Sequence, residues 1–331
     1  MESSRAASRR ARRFPRRPLM YTALACVAVV GATAGGTVYV KAQAHSGSGA
    51  VSSATTPSLS PSTATTTEEA AVAEPVVDLD ERLAAAMTSV DVTGEQKVSA
   101  AVLDLESGDS ALYGDGAFDT ASIVKVDILA ALLLRHQEAG TRLSAREKAY
   151  ATTMIENSDN ASASALWDAI GEAAGLDAAN EALGLTGTAG GEGALWGLTR
   201  TTAADQLTLL QQVFGDDSKL SEASRSYLQG LMGRIEADQR WGVSAAADGS
   251  GWALKNGWLP RSTTGLWDVN SIGRVSVDGH AYLVAVLSNG NSTQAKGISL
   301  VEAAAKAAVS VFTAEEASAS ASANAMSAAA R

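Results

Sequence analysis

Cysteine is nearly absent from this chain of 331 residues. Only Cys26 occurs, so no disulfide can form within the chain and a cysteine-rich zinc cluster is excluded. Histidine is scarce as well. His45, His136 and His280 stand far apart and form no H-E-x-x-H or related spacing, which disfavours a histidine-based triad. A net positive charge is confined to the front of the molecule. Residues 1–41 hold seven Arg, one Lys and one Glu, a balance of +7; with −10 for the whole chain, residues 42–331 carry −17. An acidic body excludes nucleic acid as a partner, because phosphates call for a basic surface. The plain reading of the acidity is that it keeps a secreted domain soluble.

Large apolar side chains are nearly absent from residues 45–74, where Ser, Thr, Ala, Gly and Pro dominate. Such a segment cannot bury enough surface to offset its chain entropy. Residues 45–77 therefore read as a flexible linker, and the Ala/Ser-rich residues 314–331 as a flexible tail. At the front, a basic region (1–18) precedes an apolar run from Leu19 to Val40, followed by the small-x-small site Ala42-Gln43-Ala44. This is the layout of a signal peptide or membrane anchor over residues 19–44. The basic end would stay cytoplasmic and the body would be exported, either secreted or held in the cell envelope by residues 19–40. What remains, residues 78–313, is enough for one large or bilobed unit with a substantial core.

That body opens on a helical pattern (Leu79, Leu83, Met87, Val90). Strand-like runs Val98–Leu105 and Ser110–Tyr113 follow, joined by the turn Ser107-Gly108-Asp109. Ser122–Gln137 is apolar nearly all round, which predicts a buried helix ended by Gly140. Ser144-Ala-Arg-Glu147 is a capping-box pattern, and Thr202 and Ser221 open two further helices. The chain returns to strands over Trp252–Trp258, Val269–Val277 and Tyr282–Ser288, with Asp278-Gly279 as a turn and a last helix over Ser299–Phe312. The order is helix, two strands, helical block, three strands, helix. It predicts an α+β fold with terminal helices on one face of an antiparallel sheet and a cleft beside a helical lobe.

Three short motifs carry chemistry. Ser122-Ile-Val-Lys125 places a hydroxyl and an amine on one helix face, and of the eight lysines only Lys125 has a serine three residues before it. An uncharged lysine could take the serine proton, and burial is the force that would uncharge it. With Asp119 or Thr120 as cap, the Ser122 N–H would be a free donor suited to an oxyanion. Ser158-Asp159-Asn160 lies between two helices. It fits a proton relay through Ser158 and a substrate-binding amide at Asn160, and equally a plain helix cap. Lys255-Asn256-Gly257, the only K-x-G in the chain, lies in a strand. Lys255 offers charge to a substrate carboxylate, Gly257 permits close approach, and Trp258 can supply a second oxyanion N–H. Taken alone, a strand end with a solvated lysine explains the same residues.

In this order the three motifs match the S-x-x-K, S-D-N and K-T-G signature, and over nearly all of residues 78–313 the chain resembles the class A β-lactamases and penicillin-recognising serine hydrolases. The resemblance implies a five-stranded antiparallel sheet flanked by helices plus a reduced all-helical lobe. It also implies Ser122 as nucleophile, Lys125 as its base or relay, Ser158 as a further catalytic group, and substrate binding by Asn160, Lys255, Asn256, Gly257 and Trp258. It further implies a small-molecule or peptide substrate, a β-lactam, a D-amino-acid peptide or a related ester or amide. No metal or organic cofactor is implied, and a monomer is expected.

Two departures stand out. Asn256 replaces the usual Thr or Ser of the third motif; its amide can still donate, with a different carboxylate geometry expected. The glutamate that drives deacylation in this family is also not evident. Glu192-Gly-Ala-Leu195 resembles its E-x-x-L, but Trp196 stands where Asn is expected, and Glu192 otherwise reads as loop surface. Glu156 reads as a helix-end charge. Asp127, His280 and the tryptophans Trp196, Trp252 and Trp267 read as structural, whereas Trp258 suits both core and site. The residues thus support acylation more firmly than turnover, and a non-catalytic envelope binding protein stays open as the alternative.

Overall fold

The computed structural model describes residues 78–329, with side chains described up to Thr313. The leader and linker expected over residues 1–77, including Cys26, lie outside the described residues, as do the side chains of the expected tail.

Helix α1 (Leu79–Met87) starts where the Asp78 carboxylate accepts from the Asp80 and Glu81 N–H groups, a standard cap. Strands β1 (Lys97–Asp104) and β2 (Ser110–Tyr113) follow, then the short β3 (Phe118–Asp119). The helical lobe comprises α2 (Val124–Glu138), α3 (Ala145–Glu156), α4 (Asn160–Ile170), α5 (Glu172–Leu183), α6 (Ala203–Phe214) and α7 (Glu222–Met232). A two-residue β4 (Arg200–Thr201), lying before α6, pairs with β3. Then come β5 (Trp252–Pro260), β6 (Trp267–Val277), β7 (His280–Asn291) and α8 (Gln294–Ala329), the last longer at both ends than its apolar pattern predicts.

The sheet has five antiparallel strands in the order β2-β1-β7-β6-β5. Strands 97–104 and 280–291 pair across nearly two hundred residues, so the helical lobe is an excursion out of one sheet. Side chains alternate between two cores, as the strand period requires. Ala100, Val102, Leu254, Val284 and Val286 face α1 and α8, whereas Ala101, Leu103, Ala253, Ile272, Leu283 and Ala285 face the helical lobe. Between β6 and β7 the turn residues Asp278 (φ 52°) and Gly279 (φ 90°) are both left-handed, which matches the twist of the flanking strands.

Helix α2 is the axle of the lobe. Every residue from Val124 to Leu134 is buried, in keeping with its all-round apolar sequence, and Gly140 (φ 62°) turns the chain away after its end. The capping box at Ser144 and Glu147 opens α3, and Thr202 and Ser221 cap α6 and α7 through their hydroxyls. His280 pairs with Glu106 at 3.0 Å near the β6–β7 turn.

One polar group runs against the pattern. Asp127 of α2 is fully buried, and neither carboxylate oxygen has a hydrogen-bond partner among the described residues. Burial, reinforced by the carboxylates of Asp205 and Asp177, pushes it up to about 8. The folded chain therefore holds this proton more tightly than the unfolded chain, whose carboxyl ionises near 4. The associated stability is complete below about pH 4 and is lost as pH rises through about 8. Asp127→Asn should remove that slope. Thermal melts are expected to coincide for the two proteins near pH 4 and to favour the variant by on the order of 5 kcal/mol at pH 9.

Candidate active site

The turn before α2 sets the site. Ala121 has φ 48°, a strained value for a residue with a Cβ, and it opens a single 3-10 turn, Ala121–Ile123, that leads into α2. Neither expected cap is used. Thr120 makes no side-chain cap bond, and Asp119 instead pairs with Arg200 (3.3 Å) and with Arg261. The turn is held from outside: the Asn270 amide donates to the carbonyls of Asp119 (2.9 Å) and Thr120 (3.0 Å), and the Thr120 N–H donates to the Thr199 carbonyl at 2.9 Å. Ser122 therefore stands at a helix start, where first-turn N–H groups are only partly satisfied; Ile123 N–H donates to the Thr120 carbonyl at 3.3 Å.

Lys125 lies one turn on, with no exposed surface. Its Nζ is 3.0 Å from Ser122 Oγ, 2.6 Å from the Ser158 carbonyl, 3.0 Å from Ser158 Oγ and 2.8 Å from Asn160 Oδ1. Two of these, the Ser158 carbonyl and the Asn160 amide oxygen, can only accept. A neutral amine has two N–H donors, which those two oxygens use, and its lone pair then faces a serine hydroxyl. Burial pushes Lys125 down to about 7, against the pull of the Asp159 carboxylate towards the charged form. The turn between α3 and α4 supplies the acceptors. Ser158 adopts φ 56°, which turns both its carbonyl and its hydroxyl to Lys125, while Asp159, not Ser158, caps α4 by accepting from the Ser162 N–H at 2.7 Å.

Lys255 completes the cluster from β5. It is also fully buried, and its Nζ donates to Ser158 Oγ and to the Asn256 carbonyl, each at 3.0 Å. Burial first, and the neighbouring Lys125 second, hold it well below the ordinary lysine range. Ser158 thus links the two amines. Gly257 allows β5 this close: a Cβ there would lie 2.7 Å from both Ser122 N and Thr120 O and 2.8 Å from Ile123 N.

Asn256 departs from its expected role. Lys255 shares the sheet face of Ala253, towards the helical lobe, so Asn256 shares the opposite face with Leu254. Its amide nitrogen donates to the carbonyls of Gln239 (2.7 Å) and Trp241 (2.9 Å). It braces the loop behind β5 instead of offering its amide to a substrate.

Above the cluster lies a cavity of about 630 Å³. Ser122 and Asn160 line it, with Ser164, Trp196, Trp258 and Arg261 around them, and among the described residues no Asp or Glu does. Trp196 therefore belongs to the site as well as to the core edge. Its ring centroid lies 5.0 Å from Lys125 Nζ, and its Nε1–H donates to Ser164 Oγ at 3.1 Å. Glu192 is exposed on the same loop and does not line the cavity. Glu156 pairs with Arg234 at 2.9 Å. Sequence reasoning missed Asn270, Arg261 and Ser164. Only Ser164 carried a signal, its position four residues after Asn160 on one helix face. Among the described residues no group of three or more His, Cys, Asp or Glu side chains could hold a metal ion.

The family model described as "Beta-lactamase enzyme family" (Beta-lactamase2) matches residues 133–312, more than half of the chain. Among solved structures, a point mutant of the class A beta-lactamase of the last common ancestor of Gram-negative bacteria aligns with TM-score 0.58 and 22% identity over 71% of this chain and 98% of that one. A beta lactamase from Xanthomonas campestris aligns with TM-score 0.55 and 21% identity over 70% of this chain and 98% of that one. A PBP-A mutant, solved as its acyl-enzyme complex with penicillin G, aligns with TM-score 0.59 and 21% identity over 71% and 96%. At these identities the likeness is one of fold. No curated protein sequence matches the chain.

Two outcomes follow from the geometry. Labelling of Ser122 by an acylating serine reagent should rise with pH through about 7, as Lys125 loses its proton. The rate at pH 6 is expected to be roughly tenfold below its plateau. Gly257→Ala should push β5 off the Ser122 turn and slow that labelling by about tenfold or more, since the clash is with backbone and has no side chain to yield.

Proposed function

The chain belongs to the beta-lactamase enzyme family, and from that premise we propose that it is an exported serine hydrolase working through an acyl-enzyme on Ser122. The observation that carries this reading is the 3.0 Å contact between Ser122 Oγ and the buried Nζ of Lys125. Ser122 Oγ attacks the carbonyl carbon of an amide or ester while its proton passes to Lys125. The carbonyl oxygen, now negative, is met by the backbone N–H groups of Ser122 and Trp258. As the carbon–nitrogen bond breaks, Ser158 hands a proton to the leaving nitrogen and is resupplied by Lys125. Water would then release the acid and restore the serine.

The substrate class is a β-lactam, a D-amino-acid peptide of the peptidoglycan type or a related ester or amide. Lys255 recovers its charge when a substrate carboxylate approaches, because the pair is less costly to bury than the ammonium alone. The basic residues 1–18 and the apolar run after them support export, with residues 19–40 as a cleaved signal or an anchor, and the body acting as a monomer.

A second reading, a binding protein that keeps the cleft without turnover, is favoured by one observation: no carboxylate lines the cavity to activate water. The intact mass of the full chain after incubation with penicillin G, beside Ser122→Ala, separates the two. The hydrolase reading expects an adduct of one drug mass on the wild type and none on the variant. Unchanged mass with no drug consumed would count against β-lactams as substrates.

A further inference from the structure

The loop between α5 and α6 is built as a closed ring. Ala189 and Arg200 exchange backbone hydrogen bonds, each 2.9 Å, which joins its two ends. Gly191 lies so close to the returning strand that a Cβ there would sit 2.1 Å from the Leu195 carbonyl. Two indoles tether the ring to α4: Trp167 Nε1–H donates to the Gly193 carbonyl at 2.7 Å, and Trp196 Nε1–H donates to Ser164 Oγ at 3.1 Å. The Thr199 carbonyl accepts from the Thr120 N–H at 2.9 Å, so the ring is also bound to the nucleophile turn. Trp196 is therefore tethered at both its backbone loop and its indole N–H.

What this device presents to the site is an indole face. The ring of Trp196 lies 5.0 Å from Lys125 Nζ, on the cavity side, where a water attacking an ester on Ser122 would need both space and a base. The other directions around Nζ are filled by Ser122, Ser158 and Asn160, and no carboxylate lines the cavity to activate a water from elsewhere. An apolar ring neither donates nor accepts in a way that would order such a water.

Building on the acyl-enzyme reading above, we propose that Trp196 is a positioning residue that closes the Lys125 side of the site to water and thereby sets how long an acyl group stays on Ser122. Formation of the ester needs no water, so the indole does not obstruct that half of the reaction; by helping to bury Lys125 it favours it. Release needs a water molecule, which adds its oxygen to the ester carbon while a proton goes to Lys125 and then to the departing Ser122 oxygen.

The test follows the penicillin G adduct of the full chain by intact mass, first as it forms and then as it decays after free drug is removed. Trp196→Ala should speed decay by roughly tenfold or more while formation is no faster than in wild type. Trp196→Phe keeps an apolar ring and should decay within about threefold of wild type. Trp196→Asn replaces the alanine variant if the latter melts below the assay temperature. General damage to the site would slow both steps, so faster decay without faster formation is specific to the proposal. Equal decay in the wild type and the small-residue variants would overturn it and leave the acyl-enzyme reading standing. So would a wild-type adduct that is already released within seconds. Absence of any adduct on wild type and variants alike would overturn both.

Discussion

Two lysine amines, Lys125 and Lys255, lie side by side with no exposed surface, joined through the hydroxyl of Ser158. Removing an ammonium from water costs several kcal/mol even after relaxation, and two together cost more because they repel. The fold meets that cost by bringing oxygen acceptors from the α3–α4 turn, the start of α4 and β5, and by letting the amines lose charge. Ser158 shows how tightly the constraint binds. Its φ of 56° is unfavourable for serine by about 1 kcal/mol or more, yet it places carbonyl and hydroxyl on one amine. Segments far apart in the chain are thus placed by one requirement. The same requirement prepares Lys125 to accept a proton near neutral pH.

The turn that carries Ser122 depends on backbone contacts more than on side chains of its own. Ala121 is strained, and the turn persists because Asn270, Thr199 and the edge of β5 fix the carbonyls and N–H groups around it. Asp119, Arg200, Arg261 and Asp268 form an ionic network on the strand behind it, and burial pushes Asp268 up to about 6 although Arg261 lies 3.7 Å away. None of these groups needs to touch a reacting atom. Their effect is to hold Ser122 at the mouth of the cavity while the rest of α2 stays buried.

Much of the fold was legible along the chain. The turn residues Gly108 and Asp278-Gly279, the capping box at Ser144 and the all-round apolar run of α2 each express a local rule, and each forms the expected element. The pairing of β1 with β7 was open from pattern alone, because two strands nearly two hundred residues apart carry no local mark of being neighbours. The site divides in the same way. Ser122 and Lys125 share a helix face by their spacing, whereas Asn270 and Arg261 act on Asp119 from the other end of the sequence.

By itself the sequence marked the residues on which the proposed chemistry rests: an S-x-x-K at a helix start, an S-D-N between helices and a K-x-G on a strand. Helical and strand periods are local, so these groups bring their geometry with them. Only the tertiary structure decided where neighbouring side chains point and what closes over them. Asn256 turned to the far side of the sheet because alternation on β5 gives the cleft to Lys255 and Gly257. Trp196 came to lie against Lys125 because a ring of loop hydrogen bonds carries it there, across some seventy residues of chain that share no repeat or period.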